Sequence, residues 1–289
     1  MPFAPTALRN RRDDVPQHPS KEIKAMSQTT IVLRIRRQDS PKASAYWEEF
    51  ELPYKPHHNI ISMLMEIRRN PVNRQGGPTR PVVFDANCLE EVCGACTMLV
   101  NGRVRQACSA LAQNLPPITT LEPMSKFPLI RDLWVDRSIM FDYLKRAKSW
   151  VPIDGTYDLG PGPRISSEVQ QFAYVFSRCM TCGCCLEACP QVNSHSKYMG
   201  PQVIGQVYQM GEHPTSAMNQ DERLEALMGI GGLQDCGNSQ NCDRVCPKGI
   251  PLTYAIASLN WDATKKWLRN LAKEKKFAVE ELSYNPPKG

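Results

Sequence analysis

The sequence predicts an α+β protein in two parts, strand-rich first and mostly helical second. Three observations lead there. Alternating apolar patterns occur only before about Asp132, apolar spacings of three and four dominate from Ser138 onward, and the twelve cysteines form one group in the strand-rich part and two in connections of the helical part. The expected division is residues 1–27 as a disordered extension, 28–135 as the first domain and 136–289 as the second.

TIVLRIRR, from Thr30, alternates Ile31, Leu33 and Ile35 against Val32, Arg34 and Arg36, and YWEEFELPY places Phe50 and Leu52 two apart, so these segments read as paired strands. Asn59 caps a helix in which Ile60, Met63, Leu64 and Ile67 share one face, and Pro71 ends it. PVVF (81–84) and TMLV (97–100) are short apolar runs, and Asn101-Gly102 before RVRQA is a hairpin turn. In the second part SIMFDYLKRA, from Ser138, has helical spacing, and the Pro/Gly-rich PIDGTYDLGPGPR (152–164) reads as a structured crossing loop. Ser167 with Gln170 forms a capping box for a helix running into Cys179. ERLEALM before Gly229, and PLTYAIASLNW with Pro251 at the first helical position, give two more helices. The basic run KKWLRNLAKEKK (265–276) reads as a solvated helix face.

A chain of 289 residues is long enough for two modest cores. No apolar run approaches the roughly 18 to 20 residues of a membrane span. The formal charge of +6 is mild and its basic residues are scattered, so no nucleic acid is expected among the partners. The first 27 residues lack the continuous apolar core of a secretory signal, and Arg9, Arg11 and Arg12 are accompanied by Asp13 and Asp14, which transit peptides avoid. A reducing compartment is therefore expected, where clustered cysteines mean metal rather than disulfides.

The first group, Cys88-x4-Cys93-x2-Cys96 closed by Cys108, has the plant-type spacing for a [2Fe-2S] cluster, with Gly94 and Ala95 small enough for close backbone approach. A four-cysteine zinc site is the alternative, which the x4 spacing disfavours. The second group, Cys179-x2-Cys182-x2-Cys185-x3-Cys189-Pro190, is the bacterial dicluster run, in which the fourth thiolate crosses to the other cluster. Its partner motif is Cys236-x5-Cys242-x3-Cys246-Pro247. Reciprocity assigns Cys179, Cys182, Cys185 and Cys246 to a [4Fe-4S] cluster. Cys189, Cys236 and Cys242 remain, because Ser239 stands where a complete motif has cysteine, and three thiolates suit a [3Fe-4S] cluster. The alternative is a four-iron cluster completed by Ser239 or water. Cys184 is left over and reads as a small buried residue, with a free-thiol or alternate-ligand role as the lesser reading. Three such clusters in one small chain serve to pass single electrons along a line, and with no GxGxxG between strand and helix each end must meet a redox partner on another chain.

The order CLEEVCGACTMLVNGRVRQAC, CMTCGCCLEACP and CGNSQNCDRVCPKGIP, together with LMEIRRNPVN, FPLIRDLWVDRS and PIDGTYDLGPGPR, closely resembles the iron-sulfur subunits of succinate dehydrogenase and fumarate reductase, over about residues 29 to 262. The resemblance implies an N-terminal β-grasp ferredoxin-like domain and a C-terminal α-helical dicluster ferredoxin domain. It implies electron flow from a separate FAD-containing flavoprotein subunit through [2Fe-2S], [4Fe-4S] and [3Fe-4S] to a quinone at a membrane-anchor cytochrome b subunit. Succinate oxidation in the tricarboxylic acid cycle and respiratory chain is the expected role, with fumarate reduction as the alternative and no catalytic residue on this chain. A structural zinc-binding module and an electron-transfer subunit of another dehydrogenase are the remaining alternatives. Ubiquinone-linked members resemble one another in tryptophans after the proline of the second motif and a histidine after the first cysteine of the third. Here those places hold Gln191 to His195 and Gly237, a pattern more similar to the bacterial menaquinone-linked branch. The implied location is peripheral, on the cytoplasmic face of the bacterial cell membrane, held through the anchor.

Overall fold

The computed structural model describes residues 29–152 and 164–282. The extension expected over residues 1–27, and nearly all of the crossing loop expected over 152–164, lie outside them.

The described chain forms two compact units that are not continuous in sequence. The first runs to Ile139 and also takes in Cys179–Ala188 and Asn241–Ile250. The second comprises Met140–Arg178, Cys189–Gln240 and the chain from Pro251 onward. The compact units thus cross the linear division at 135/136.

In the first unit β1 (Thr30–Arg37) pairs antiparallel with β2 (Tyr46–Pro53), Thr30 facing Pro53 and Arg37 facing Tyr46. The expected alternation holds except at Val32: Ile31, Leu33, Ile35, Phe50 and Leu52 are buried and Arg34 and Arg36 exposed, but Val32, expected on the side of the arginines, is buried too. Helix α1 (Ile60–Arg69) is capped by Asn59, whose Oδ1 accepts from the Ser62 N–H at 2.8 Å, and it lays Ile60, Met63, Leu64 and Ile67 on the sheet. The hairpin β3 (Thr97–Val100) and β4 (Arg103–Gln106) turns at Asn101 and Gly102, both at positive φ. Strand β5 (Ile118–Glu122) runs parallel to β1 and antiparallel to β3, giving the order β2-β1-β5-β3-β4. A mixed sheet crossed by one helix is the β-grasp arrangement. The sequence had no signal for β5, because its buried positions are Thr119 and Leu121 and a threonine breaks the apolar alternation.

The apolar run 81–84 does not join the sheet. It is tied instead to the short pair β6 (Leu129–Arg131) and β7 (Trp134–Val135): Leu133 N donates to Val83 O at 3.1 Å, and Val83 N to Asp132 Oδ2 at 3.0 Å. Asp132, in that turn at φ +47, also receives Arg37 Nε at 3.0 Å and the Gln38 N–H at 3.1 Å. Arg37 is fully buried and spends its other nitrogens on Glu48 and the Arg80 carbonyl. One buried ion pair therefore fixes the segment that leads into Cys88.

The helical part consists of α2 (Ser138–Arg146), α3 (Ser167–Ser177), α4 (Cys184–Glu187), α5 (Pro201–Glu212), α6 (Gln220–Met228), α7 (Asn241–Val245) and α8 (Leu252–Leu282). The short helices α4 and α7 belong to the first unit and the others chiefly to the second. The cap of α3 is Ser166, not Ser167; its Oγ accepts from the Val169 N–H. Helix α5 escaped the sequence reading although Val203, Ile204, Val207 and Tyr208 share a buried face, because GPQVIGQVYQMGE mixes glycines and a buried glutamine into that stripe. Gly205 explains part of this: a Cβ there would lie 2.6 Å from Leu252 Cδ2 of α8. Phe172, Phe176, Tyr208 and Tyr254 join α3, α5 and α8 in one aromatic cluster with ring centroids 4.7 to 6.2 Å apart. Helix α8 continues far beyond the expected PLTYAIASLNW. Its basic run is not wholly solvated, since Lys266 is buried with Nζ 2.8 Å from Glu225 and 3.2 Å from Asp221 on α6. No described helix is long and apolar enough to cross a membrane.

Candidate metal centres

In the first cysteine group Cys108 lies in a 3-10 turn directly after β4, and Cys88, Cys93 and Cys96 lie in the loop between the run 81–84 and β3. Leu89, Glu91 and Gly94 take positive φ there, at 60°, 55° and 73°. These left-handed residues turn the backbone N–H groups inward toward sulfur. Cys88 Sγ accepts from Val92 N and Cys93 N at 3.3 Å and from Glu90 N at 3.4 Å. Cys93 Sγ accepts from Ala95 N at 3.4 Å and Cys88 N at 3.5 Å, and Cys108 Sγ from Glu91 N at 3.3 Å. The N–H groups of Glu90 and Val92 hold the Cys88 thiol down to about 7, so the loop is built for anionic sulfur. Cys96 is buried at the start of β3, and burial pushes its thiol up to about 12.

The second group enters on a turn in which Thr181 and Gly183 are left-handed, which places Cys182 before α4 and Cys185 within it. Asn241 Nδ2 donates to the Ala188 carbonyl at 3.1 Å, joining α7 to the end of α4, and Cys246 follows α7 with its Sγ accepting from Ile250 N at 3.4 Å. Cys185 is buried, and its thiol is raised first by burial and then by the neighbouring Cys182, Cys179, Cys246 and Cys242. Cys179, Cys182, Cys185 and Cys246 all lie in the same compact unit. Cys185 is buried and the other three are partly buried, so thiolates gathered here would need cations to offset their charge, which a four-iron core supplies. No disulfide joins any of the twelve cysteines. Among the described residues no three His, Cys, Asp or Glu side chains are gathered as ligands of a single metal ion. These donor sets, soft sulfur ringed by inward N–H groups, fit iron-sulfur clusters.

The two groups meet within the first unit. A Cβ on Gly94 would lie 2.8 Å from the Cys182 Cα and 2.9 Å from the Met180 carbonyl oxygen. Arg137 donates to the Gly94 carbonyl at 2.7 Å, and Thr97 Oγ1 donates to the same oxygen at 2.9 Å. Glu187 at the end of α4 fastens the second loop from the other side, accepting from Ser125 N, Ser125 Oγ and Lys126 N at 2.6 to 3.1 Å. All of Cys88, Cys93, Cys96, Cys108, Cys179, Cys182, Cys185 and Cys246 belong to this unit.

Cys189 and Cys236 belong to the second unit and Cys242, in α7, to the first. Cys236 follows a 3-10 turn, Leu233–Asp235, and its thiol is 3.8 Å from Asn238 Oδ1. Ser239 is exposed between Asn238 and Gln240, both left-handed. Within the same unit a Cβ on Gly237 would lie 2.5 Å from Gln191 Nε2.

Sequence reasoning missed Gln106, Arg137 and the surroundings of Cys184. Gln106 is buried; its Nε2 donates to Thr97 Oγ1 at 2.7 Å and to Cys184 Sγ at 3.4 Å, and its Oε1 lies 3.4 Å from Cys96 Sγ. The hydrogen bond with Cys182 and burial raise the Cys184 thiol far above the usual range, so it stays protonated. A glutamine in a four-residue strand carries no pattern that would have marked it.

Residues 32–142 match a family model described as a 2Fe-2S iron-sulfur cluster binding domain, and residues 175–250 match a 4Fe-4S dicluster domain. The chain is 61% identical over 243 residues to the succinate dehydrogenase iron-sulfur subunit of Bacillus subtilis, covering 84% of this chain and 96% of that one. It is 29% identical to the fumarate reductase iron-sulfur subunit of Wolinella succinogenes over 79% of this chain and 95% of that one. A solved structure, the Mycobacterium smegmatis Sdh1 complex in the apo form, contains a chain of the same fold with a TM-score of 0.70 at 22% identity, covering 82% of this chain and 96% of that one.

Proposed function

This chain belongs to the iron-sulfur subunits of succinate dehydrogenase, an oxidoreductase that includes flavoprotein and membrane-anchor subunits, and we propose that its three cysteine groups form an ordered path for single electrons through it. Cys88, Cys93, Cys96 and Cys108 hold the two-iron cluster; Cys179, Cys182, Cys185 and Cys246 hold the four-iron cluster; Cys189, Cys236 and Cys242 hold a three-iron cluster. Each cluster, when bound, takes up and releases one electron at a time. The observation that carries the order is the approach of Gly94 to Cys182, which sets the two-iron loop directly against the four-iron loop.

The residues do the rest. Inward N–H groups from Glu90 to Ala95 stabilise charge on sulfur, and burial of Cys96 and Cys185 keeps water from the ligands. Ser239 leaves the third motif one thiolate short, which supports three irons there rather than four.

In this reading electrons arrive from FAD on the flavoprotein and leave to a quinone near the anchor. The quinone is menaquinone, a reading supported by the resemblance at Gln191 to His195 and Gly237. The subunit sits at the cytoplasmic face of the cell membrane, and its attachment through the anchor agrees with the absence of a spanning helix among the described residues.

Low-temperature electron paramagnetic resonance on membranes enriched in the complex tests the path. An oxidised three-iron signal that succinate abolishes, while a two-iron signal grows, is the expected result. A three-iron signal indifferent to succinate would detach the path from this donor, and the absence of every iron-sulfur signal from an intact preparation would return the zinc reading.

A further inference from the structure

Gln106 closes β4 opposite Thr97 on β3, with its side chain 1% exposed. Every polar partner of its amide is itself inside: Thr97 Oγ1, Cys96 Sγ from the first cysteine group and Cys184 Sγ from the second. It is the one described glutamine whose side chain bonds to cysteines of two groups. Cys184 is left without a ligand's place by the x2 register, yet it is held against this amide and adjoins the ligand Cys185 in α4.

The direction of the amide depends on what Cys96 carries. As a thiol, Cys96 donates to Oε1. As an iron ligand it has no proton, and a carbonyl oxygen facing thiolate sulfur repels it. The amide nitrogen must then face Cys96, and the carbonyl must face the two remaining donors, the Cys184 S–H and the Thr97 O–H. Both can serve: Thr97 would release the Gly94 carbonyl, which keeps Arg137, and Cys184 would turn its S–H from Cys182, whose sulfur is taken up as an iron ligand.

We propose that Gln106 is a positioning residue shared by two clusters: its N–H donates to the two-iron ligand Cys96 while its carbonyl accepts from Cys184, so that the four-iron motif helps set the two-iron reduction potential. A hydrogen bond to thiolate sulfur favours the more negative, reduced cluster and raises its potential. This rests on the assignment of Cys96 and Cys185 as ligands and gives Cys184 a role other than ligation.

The test is a redox titration of the intact complex followed by paramagnetic resonance. In Gln106→Met, iron and sulfide contents stay unchanged and the two-iron reduction equilibrium shifts about tenfold toward the oxidised form, 59 mV for one electron. Cys184→Ala shifts the same cluster in the same direction by less, and Cys184→Ser, which keeps a donor, restores it. An unchanged two-iron potential in Gln106→Met, with all signals intact, overturns the bridge alone. Loss of the four-iron signal in both Cys184 variants marks that residue as a ligand and overturns the ligand assignment together with the bridge. Should Gln106→Met not assemble, pulsed resonance on wild-type complex labelled with side-chain 15N-glutamine decides: a nitrogen coupling to the reduced two-iron cluster is expected, and its absence overturns the proposal.

Discussion

Gly94 of the first cysteine loop packs against Cys182 of the second so closely that a single added carbon would sit 2.8 Å from the Cys182 Cα. Gly94 also holds φ at +73. Each constraint selects glycine by itself: the Cys182 Cα and Cβ leave no room for a side chain at position 94, and the left-handed backbone disfavours one.

Gly94→Ala must therefore pay strain of about 1–3 kcal/mol for the left-handed backbone and also push the Cys182 segment away. The expected outcome is incomplete cluster loading with a lowered melting temperature, read from iron and acid-labile sulfide per complex. Full loading at wild-type stability would mean that the contact is dispensable.

Asp132 accepts from Arg37, Gln38 N and Val83 N at a wholly buried position. Asp132→Ala leaves the Arg37 charge buried with Glu48 as its remaining acid, and a loss of about 3–5 kcal/mol is expected in denaturant unfolding. Because Val83 lies on the run leading to Cys88, the two-iron signal should weaken before the four-iron signal does. Equal weakening of both would show that the ion pair stabilises the unit as a whole.

Ser239→Cys restores the missing thiolate of the third motif. The variant should exchange its oxidised three-iron resonance for a four-iron centre of lower potential. Retention of the three-iron signal at unchanged intensity would count against grouping Cys189, Cys236 and Cys242.

Glu212, half-buried at the end of α5, has its carboxyl raised above the ordinary range by burial and by Asp262, against an opposing hydrogen bond from Tyr208. An acid with a raised folded pKa binds more protons when folded. Its contribution is present below the unfolded value of about 4.3 and is lost as pH rises through the folded one. Glu212→Gln should therefore flatten the decline in stability from pH 4 upward, leaving the variant more stable than wild type at pH 8 in thermal unfolding. A wild-type profile that rises over this range by the same amount in both proteins would contradict the assignment.

Much of the architecture is local and could be read from residues alone. Ile31, Leu33 and Ile35 declare their strand by period, Asn59 declares its helix by its cap, and the cysteine groups declare two cluster motifs because ligands of one metal core must recur at spacings the backbone can close. The failures have an equally local cause. Strand β5 buries a threonine, which breaks its apolar alternation, and α5 interrupts the buried face of Val203, Ile204, Val207 and Tyr208 with glycine and glutamine.

What the sequence by itself determined is the spacing of the candidate sulfur ligands, the serine at 239 where a complete motif has cysteine, and the resemblance that names the family. Only the tertiary structure decided that segments 179–188 and 241–250 fold into the unit that carries Cys88. It also decided that Gly94 meets Cys182 and that Gln106 touches both Cys96 and Cys184. Motif spacing follows from coordination chemistry acting over a few residues, whereas the contacts of Gly94 with Cys182 and of Gln106 with Cys184 join positions 88 and 78 residues apart and depend on how buried groups find partners once the chain has closed.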